Sequence, residues 1–194
     1  MEWLALVLLV GGGGWTARLW KNRRDEAQER RRELGDIQRL ADEDVTFLGE
    51  QLQRLDAEVG GRPMDEATRA DYQTALDAYE SAQRAVPRIR AAEEISKITD
   101  TLSAGRYALA CVQARMSGRP VPQLRVACFF NPQHGPSVTD VLWTPPGQGT
   151  RKVPACAQDA ARVVAHDAPE VRKVTVGQRK VPYWAAGAAF RPYT

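Results

Sequence analysis

Apolar residues recurring at three- and four-residue steps constrain this chain more than any other feature. The first stripe runs through Leu34, Ile37, Ala41, Val45, Leu48, Leu52, Leu55 and Val59, heptad-like with one stutter-like extra step. Gly60-Gly61-Arg62-Pro63 breaks that helix. A second helix is predicted to start near Asp65, with Thr68, Tyr72, Ala75, Tyr79, Ala82 and Val86 on one face, until Pro87 interrupts it. The third stripe is the most regular: Ile95, Ile98, Leu102, Gly105, Leu109, Val112 and Met116, with Gly118 placed as a C-cap. Gly105 on that stripe permits close helix approach. Short breaks between helices favour antiparallel neighbours, so residues 21–118 are expected to form an antiparallel helical coiled-coil unit of about three helices.

The N-terminal stretch predicts a different environment. An apolar run from Trp3 to about Ala17 is bordered by Trp3, Trp15 and Trp20, and a helix from Trp3 to Trp20 would rise about 27 Å. Glu2 precedes the run, whereas Lys21, Arg23 and Arg24 follow it, the reverse of a cleaved signal peptide. The expectation is a single-pass transmembrane anchor over residues 1–20 in the cell membrane, with Met1 and Glu2 outside and the bulk of the chain cytoplasmic. The bilayer is then the first partner. The four glycines Gly11 to Gly14 are the weak point of such a helix.

From residue 119 onward short strands and turns replace the helical period. The segments LRVACFF, SVTDVLW and TRKVP read as strands, CAQDAARVVAHD as a helix with Val163 and Val164 inward, and VRKVTVGQRKVPYW as a hairpin. Residues 119–194 are therefore expected to be a small α+β unit. It carries ten basic and four acidic residues, so this part of the chain is basic. Arg172, Lys173, Arg179 and Lys180 flank the Gly177-Gln178 turn, where contact with lipid or nucleic acid competes with plain solvation of a strand; nucleic acid is the weaker of these. The stretch WTPPGQGT lacks the Lys and Ser/Thr order of a phosphate loop and reads as a turn. The tail YWAAGAAFRPY reads as a cap or docking peptide.

The chemistry-bearing residues cluster here. Cys128-Phe-Phe-Asn131 and Cys156-Ala-Gln-Asp159 have the frame of two CxxC knuckles whose second cysteine is replaced. Asn131 is a poor zinc ligand. The candidate metal set is Cys128, His134, Cys156 and a fourth group, Asp159 or His166. A Cys128–Cys156 disulfide needs an oxidising compartment, against the expected cytoplasmic placement. Nucleophilic use of Cys128 with His134 as base needs an orienting partner that the sequence does not reveal. The remaining reading is two packed, reduced cysteines in a degenerate ribbon with no cofactor and no catalytic residue. Cys111, inside the third helix, reads as a packing residue.

The strand, glycine-rich turn, strand and helix between the cysteines resemble a zinc ribbon from Cys128 to about Val164, with two of its four ligands absent. Over most of its length, through TLSAGRYALACVQARMSGRP, CFFNPQHGPSVTDVLWTPPGQGTRKVPACAQDAARV and VGQRKVPYW, the chain resembles uncharacterised membrane-anchored coiled-coil proteins of actinobacteria. That resemblance implies an architecture and no activity. The expected function is a non-enzymatic, membrane-tethered scaffold or adaptor acting through helical self-association or a protein partner. The alternative is a small metal-binding or redox-sensing module built on Cys128, His134 and Cys156.

Overall fold

The computed structural model describes residues 3–176 and 179–186. The expectations for Met1 and Glu2, for the Gly177-Gln178 turn and for the tail from residue 187 lie outside the described residues. Two compact units are present, Met1–Asp36 and Ile37–Thr194.

The first unit holds the beginning of α1, which runs Trp3–Val59. Among the described residues no helix is long and apolar enough to cross a membrane. This overturns the transmembrane anchor over 1–20, and with it the single-pass cell-membrane localisation and the orientation derived from it. The physical reason is dilution: after Val10 the chain continues Gly11–Gly14, Thr16 and Arg18, with Leu19 the one further large aliphatic residue before Trp20. Glycine adds almost no apolar area, and an arginine lowers the mean hydropathy of the stretch. The side chains from Trp20 to Glu33 are almost all exposed, and Arg30 pairs with Glu26 one turn away.

In the second unit, α1 from Ile37 packs with α2 (Glu66–Ala85) and α3 (Ile95–Met116). Asp65 caps α2 by accepting the Thr68 N–H at 2.7 Å. Gly60 and Gly61 turn the chain with φ of +52° and +73°. Partners along the helices run in opposite order on α1 and α2, with Tyr72 on Asp56 and Tyr79 against Gly49. The expected antiparallel arrangement of α1 and α2 is therefore present. The first stripe is buried from Ile37 to Val59, and the third from Ile95 to Val112. At the centre, a Cβ on Gly105 would lie 2.8 Å from Ala78 Cβ and 3.2 Å from Leu48 Cδ2, so all three helices meet where glycine removes the obstacle. Tyr72 and Tyr79 sit at the rim, half-buried, while the smaller Ala75, Ala78 and Ala82 form the inner face of α2. Gly118, with φ of +65°, closes α3, and the Arg119 N–H returns to the Ala114 carbonyl at 2.8 Å.

The C-terminal segment contains β1 (Thr139–Trp143) and β2 (Arg151–Ala155), an antiparallel pair with Val141 opposite Val153. α4 (Ala157–Val164) follows, then the antiparallel hairpin β3 (Lys173–Val176) and β4 (Arg179–Pro182). LRVACFF is not a strand; it makes a single bridge, Ala127 with Pro136. Of the two valines on α4, Val163 packs against the core and Val164 is exposed. The core here is small: Cys128, Phe130, Val141, Val153, Ala155, Cys156 and Ala160, with Phe129, Trp143 and Trp184 packed against it. Arg151 lies over the faces of Phe129 and Trp143, with its guanidinium carbon 4.8 and 5.0 Å from the ring centres.

A buried ionic joint connects this segment to the helices. Asp44 of α1 is fully buried and meets Arg172 at 2.6 Å and Arg106 of α3 at 3.8 Å, while Gln133 donates to it at 2.7 Å. Arg172 thus leaves the basic surface group in which its sequence context places it. Asp44 follows Ala41 by three and precedes Leu48 by four, so its place on the first stripe was readable; its charge hid it.

Candidate metal centre

Local backbone chemistry explains how four donors from distant positions meet. After Cys128, the Asn131 side chain accepts the Gln133 N–H at 3.0 Å and starts a short 3-10 helix, Pro132–His134. Gly135, at φ of +83°, reverses the chain, and its carbonyl accepts the Cys128 N–H at 3.0 Å. Cys128 and His134 therefore stand on the two sides of one tight loop. The β1–β2 hairpin then delivers Cys156 to the N-cap of α4. Its sulfur accepts the Asp159 N–H at 3.4 Å, and Asp159 occupies the first turn, where the helix dipole favours a carboxylate.

Cys128, His134, Cys156 and Asp159 each present one donor atom, and these atoms all lie within 4.8 Å of one another. Asp159 Oδ2 is 2.9 Å from His134 Nδ1, 3.3 Å from Cys128 Sγ and 3.5 Å from Cys156 Sγ. The Cys156 sulfur is 3.5 Å from His134 Nδ1. Tetrahedral zinc, with bonds of about 2.0–2.3 Å, spaces its ligands by roughly 3.3–3.8 Å, so this group needs only small adjustment to accept the ion. Two thiolates, one imidazole and one carboxylate are a donor set suited to zinc. Asn131 is used as a cap and His166 is exposed at the end of α4, so neither belongs to the group.

A second ring of groups holds the donors. His134 Nε2, the nitrogen turned away from the cluster, lies 3.6 Å from Glu170 Oε1. The Glu170 N–H donates to Asp159 Oδ1 at 2.8 Å, and Arg162 reaches Glu170 at 3.2 Å and Asp159 at 3.5 Å. A carboxylate behind a histidine fixes the ring and strengthens it as a ligand. The sequence offers no signal for Glu170: it is a loop acid eleven positions after Asp159.

The electrostatics show how closely these groups interact. A hydrogen bond from the Cys156 thiol, helped by His134 and the N–H groups of Asn131 and Cys156, outweighs burial and lowers the Cys128 thiol to about 5. Cys156, as donor to Cys128 and itself buried, is pushed up. Burial opposes the His134 imidazolium, but Cys128 and Asp159 outweigh it and raise His134 above its ordinary value. Burial also opposes the Asp159 carboxylate; the Glu170 N–H, Cys128 and His134 nevertheless hold it below the usual range.

The Cys156 sulfur and the Asp159 carboxylate converge on His134 Nδ1, while the Glu170 carboxylate faces Nε2 on the other side of the ring. Comparison with family models, curated proteins and solved structures gives no match for this chain. The functional reading therefore rests on the site.

Proposed function

We propose that the C-terminal segment is a zinc-binding module in which Cys128, His134, Cys156 and Asp159 hold one structural ion. The observation that carries this reading is the meeting of four ligand-type atoms within 4.8 Å in an almost fully buried place. Four protein donors complete a tetrahedron and leave no open position, the arrangement of a structural rather than a hydrolytic zinc. The ion ties the 128–135 loop to the first turn of α4, two pieces that the small apolar core joins only weakly. The role that follows is non-enzymatic: a zinc-stapled recognition surface carried on a helical unit, acting as a scaffold or adaptor toward a protein partner or a second copy.

The test is zinc stoichiometry of the purified, reduced full chain. One equivalent is expected, reduced far below one in Cys128→Ser, His134→Ala and Cys156→Ser. A chain that takes up no zinc after reduction and dialysis against it would end the reading.

A further inference from the structure

The zinc donors include two sulfurs that oxidation can join, and only one of them faces an approach route. Cys128 is 1% exposed; Cys156 is 8% exposed and lines a groove of about 580 Å³ with Ala110, Ala114, Pro120, Pro136 and Ala157. The groove walls are mostly apolar and small, passable to a small uncharged oxidant. The two sulfur atoms lie within 4.8 Å of each other, and a disulfide bond of about 2.05 Å requires them to close the rest of that gap.

We propose that Cys156 and Cys128 form a reversible peroxide-oxidised pair that exchanges the zinc for a disulfide; this rests on the zinc reading above. The zinc-bound Cys156 thiolate attacks one peroxide oxygen, forming an S–O bond and breaking the O–O bond; hydroxide leaves and takes a proton from solvent to become water. The Cys128 thiolate then attacks the Cys156 sulfenic acid, the S–S bond forms, the S–O bond breaks, and a second hydroxide leaves and is protonated. The two sulfurs together lose two electrons and the peroxide gains them. Both thiolate charges are gone, so zinc departs with its two positive charges. His134 and Asp159 remain, two donors where a structural site needs four.

The metal and the disulfide are alternative ties between the same two segments. Three states follow. The reduced, zinc-bound chain is ordered around Cys128 and Cys156; the reduced, zinc-free chain is loosened there; the oxidised, zinc-free chain is ordered again. A peroxide lesion without this design would loosen the region and leave it so.

The experiment uses the reduced full chain, reconstituted with zinc and assayed for zinc content before a small excess of hydrogen peroxide is added. A chromogenic chelator follows release, and tryptic mapping reads the thiols. Release of one equivalent is expected together with a disulfide joining the peptides 126–151 and 153–162, with Cys111 still reduced. Dithiothreitol and zinc should restore the starting state. In Cys128→Ser, which keeps little zinc, no linked peptide should form. One zinc bound but no linked peptide, or release with Cys156 driven to sulfinic acid, overturns this inference and leaves the zinc reading standing. A linked peptide in a chain that never holds zinc overturns the exchange and the zinc reading, leaving only a thiol pair. Neither zinc nor linked peptide defeats both.

Discussion

The helical part from Ile37 to Met116 and the segment from Leu124 to Ala186 bury different things. The helices bury Leu48, Leu52, Leu55, Ile95, Ile98, Leu102, Leu109 and Val112 in long repeated stripes. Losing one contact there leaves many others. The C-terminal segment buries Cys128, Cys156, Asp159 and Ala160 with two large aromatics, Phe130 and Tyr183. Such a core is too small to bear the entropy of its own long loops, so polar and sulfur chemistry replaces apolar area. The difference teaches where each region's stability resides: in many equivalent contacts on one side, in a few irreplaceable groups on the other.

Chelation should break the comparison most visibly. Removing zinc under reducing conditions is expected to change the fluorescence of Trp143 and Trp184 while the helical circular dichroism of α1–α3 persists, because structural zinc sites carry about 10 kcal/mol or more of apparent folding free energy. Loss of both signals together would show one cooperative unit. No change in either would remove the metal from the account.

Two substitutions come next in size. Leu109→Asp places a charge on the third stripe and should cost roughly 3–5 kcal/mol, read as a lowered melting transition of the helices. An unchanged transition would mean that the stripe is not the core. Asp44→Ala removes the carboxylate that two buried arginines face, and should cost a similar amount, about 3–5 kcal/mol. It should loosen the C-terminal segment from the helices while zinc content is kept. Zinc lost in this variant would show that the joint and the metal centre are not separable.

Smaller effects sharpen the picture. Gly105→Ala inserts a methyl where Ala78 Cβ is 2.8 Å away and should cost about 1–3 kcal/mol. A neutral result would mean that α2 and α3 can separate slightly at no expense. Glu170→Gln leaves all four donors in place and should weaken zinc affinity about tenfold in a chelator competition, with the fold intact. Unaltered affinity would reduce Glu170 to a partner of Arg162.

The legibility of these regions differed for physical reasons. Stripes, glycine breaks and caps are local properties of period and backbone conformation, so the three helices, the turn at Gly60 and the stop at Gly118 could be read directly. The N-terminal run misled, because spacing of tryptophans and flanking charge say little about how much apolar area a helix carries once four glycines and an arginine interrupt it. Candidate donors could be named from type and spacing, but their use could not. Cys128 and Asp159 are 31 positions apart, and whether they meet depends on a hairpin and a glycine-reversed loop.

By itself the sequence determined the helical periods, the breakers between them, the small basic α+β segment and the donor types it contains. Tertiary structure alone decided that Asp44 would be buried against Arg106 and Arg172, that Asp159 rather than His166 or Asn131 would join the sulfurs, and that Glu170 would stand behind His134. Pattern reports which face of one element avoids water. Electrostatic partnership depends on which atoms from separate elements arrive within a few ångströms, and that is set only when the packed chain has closed.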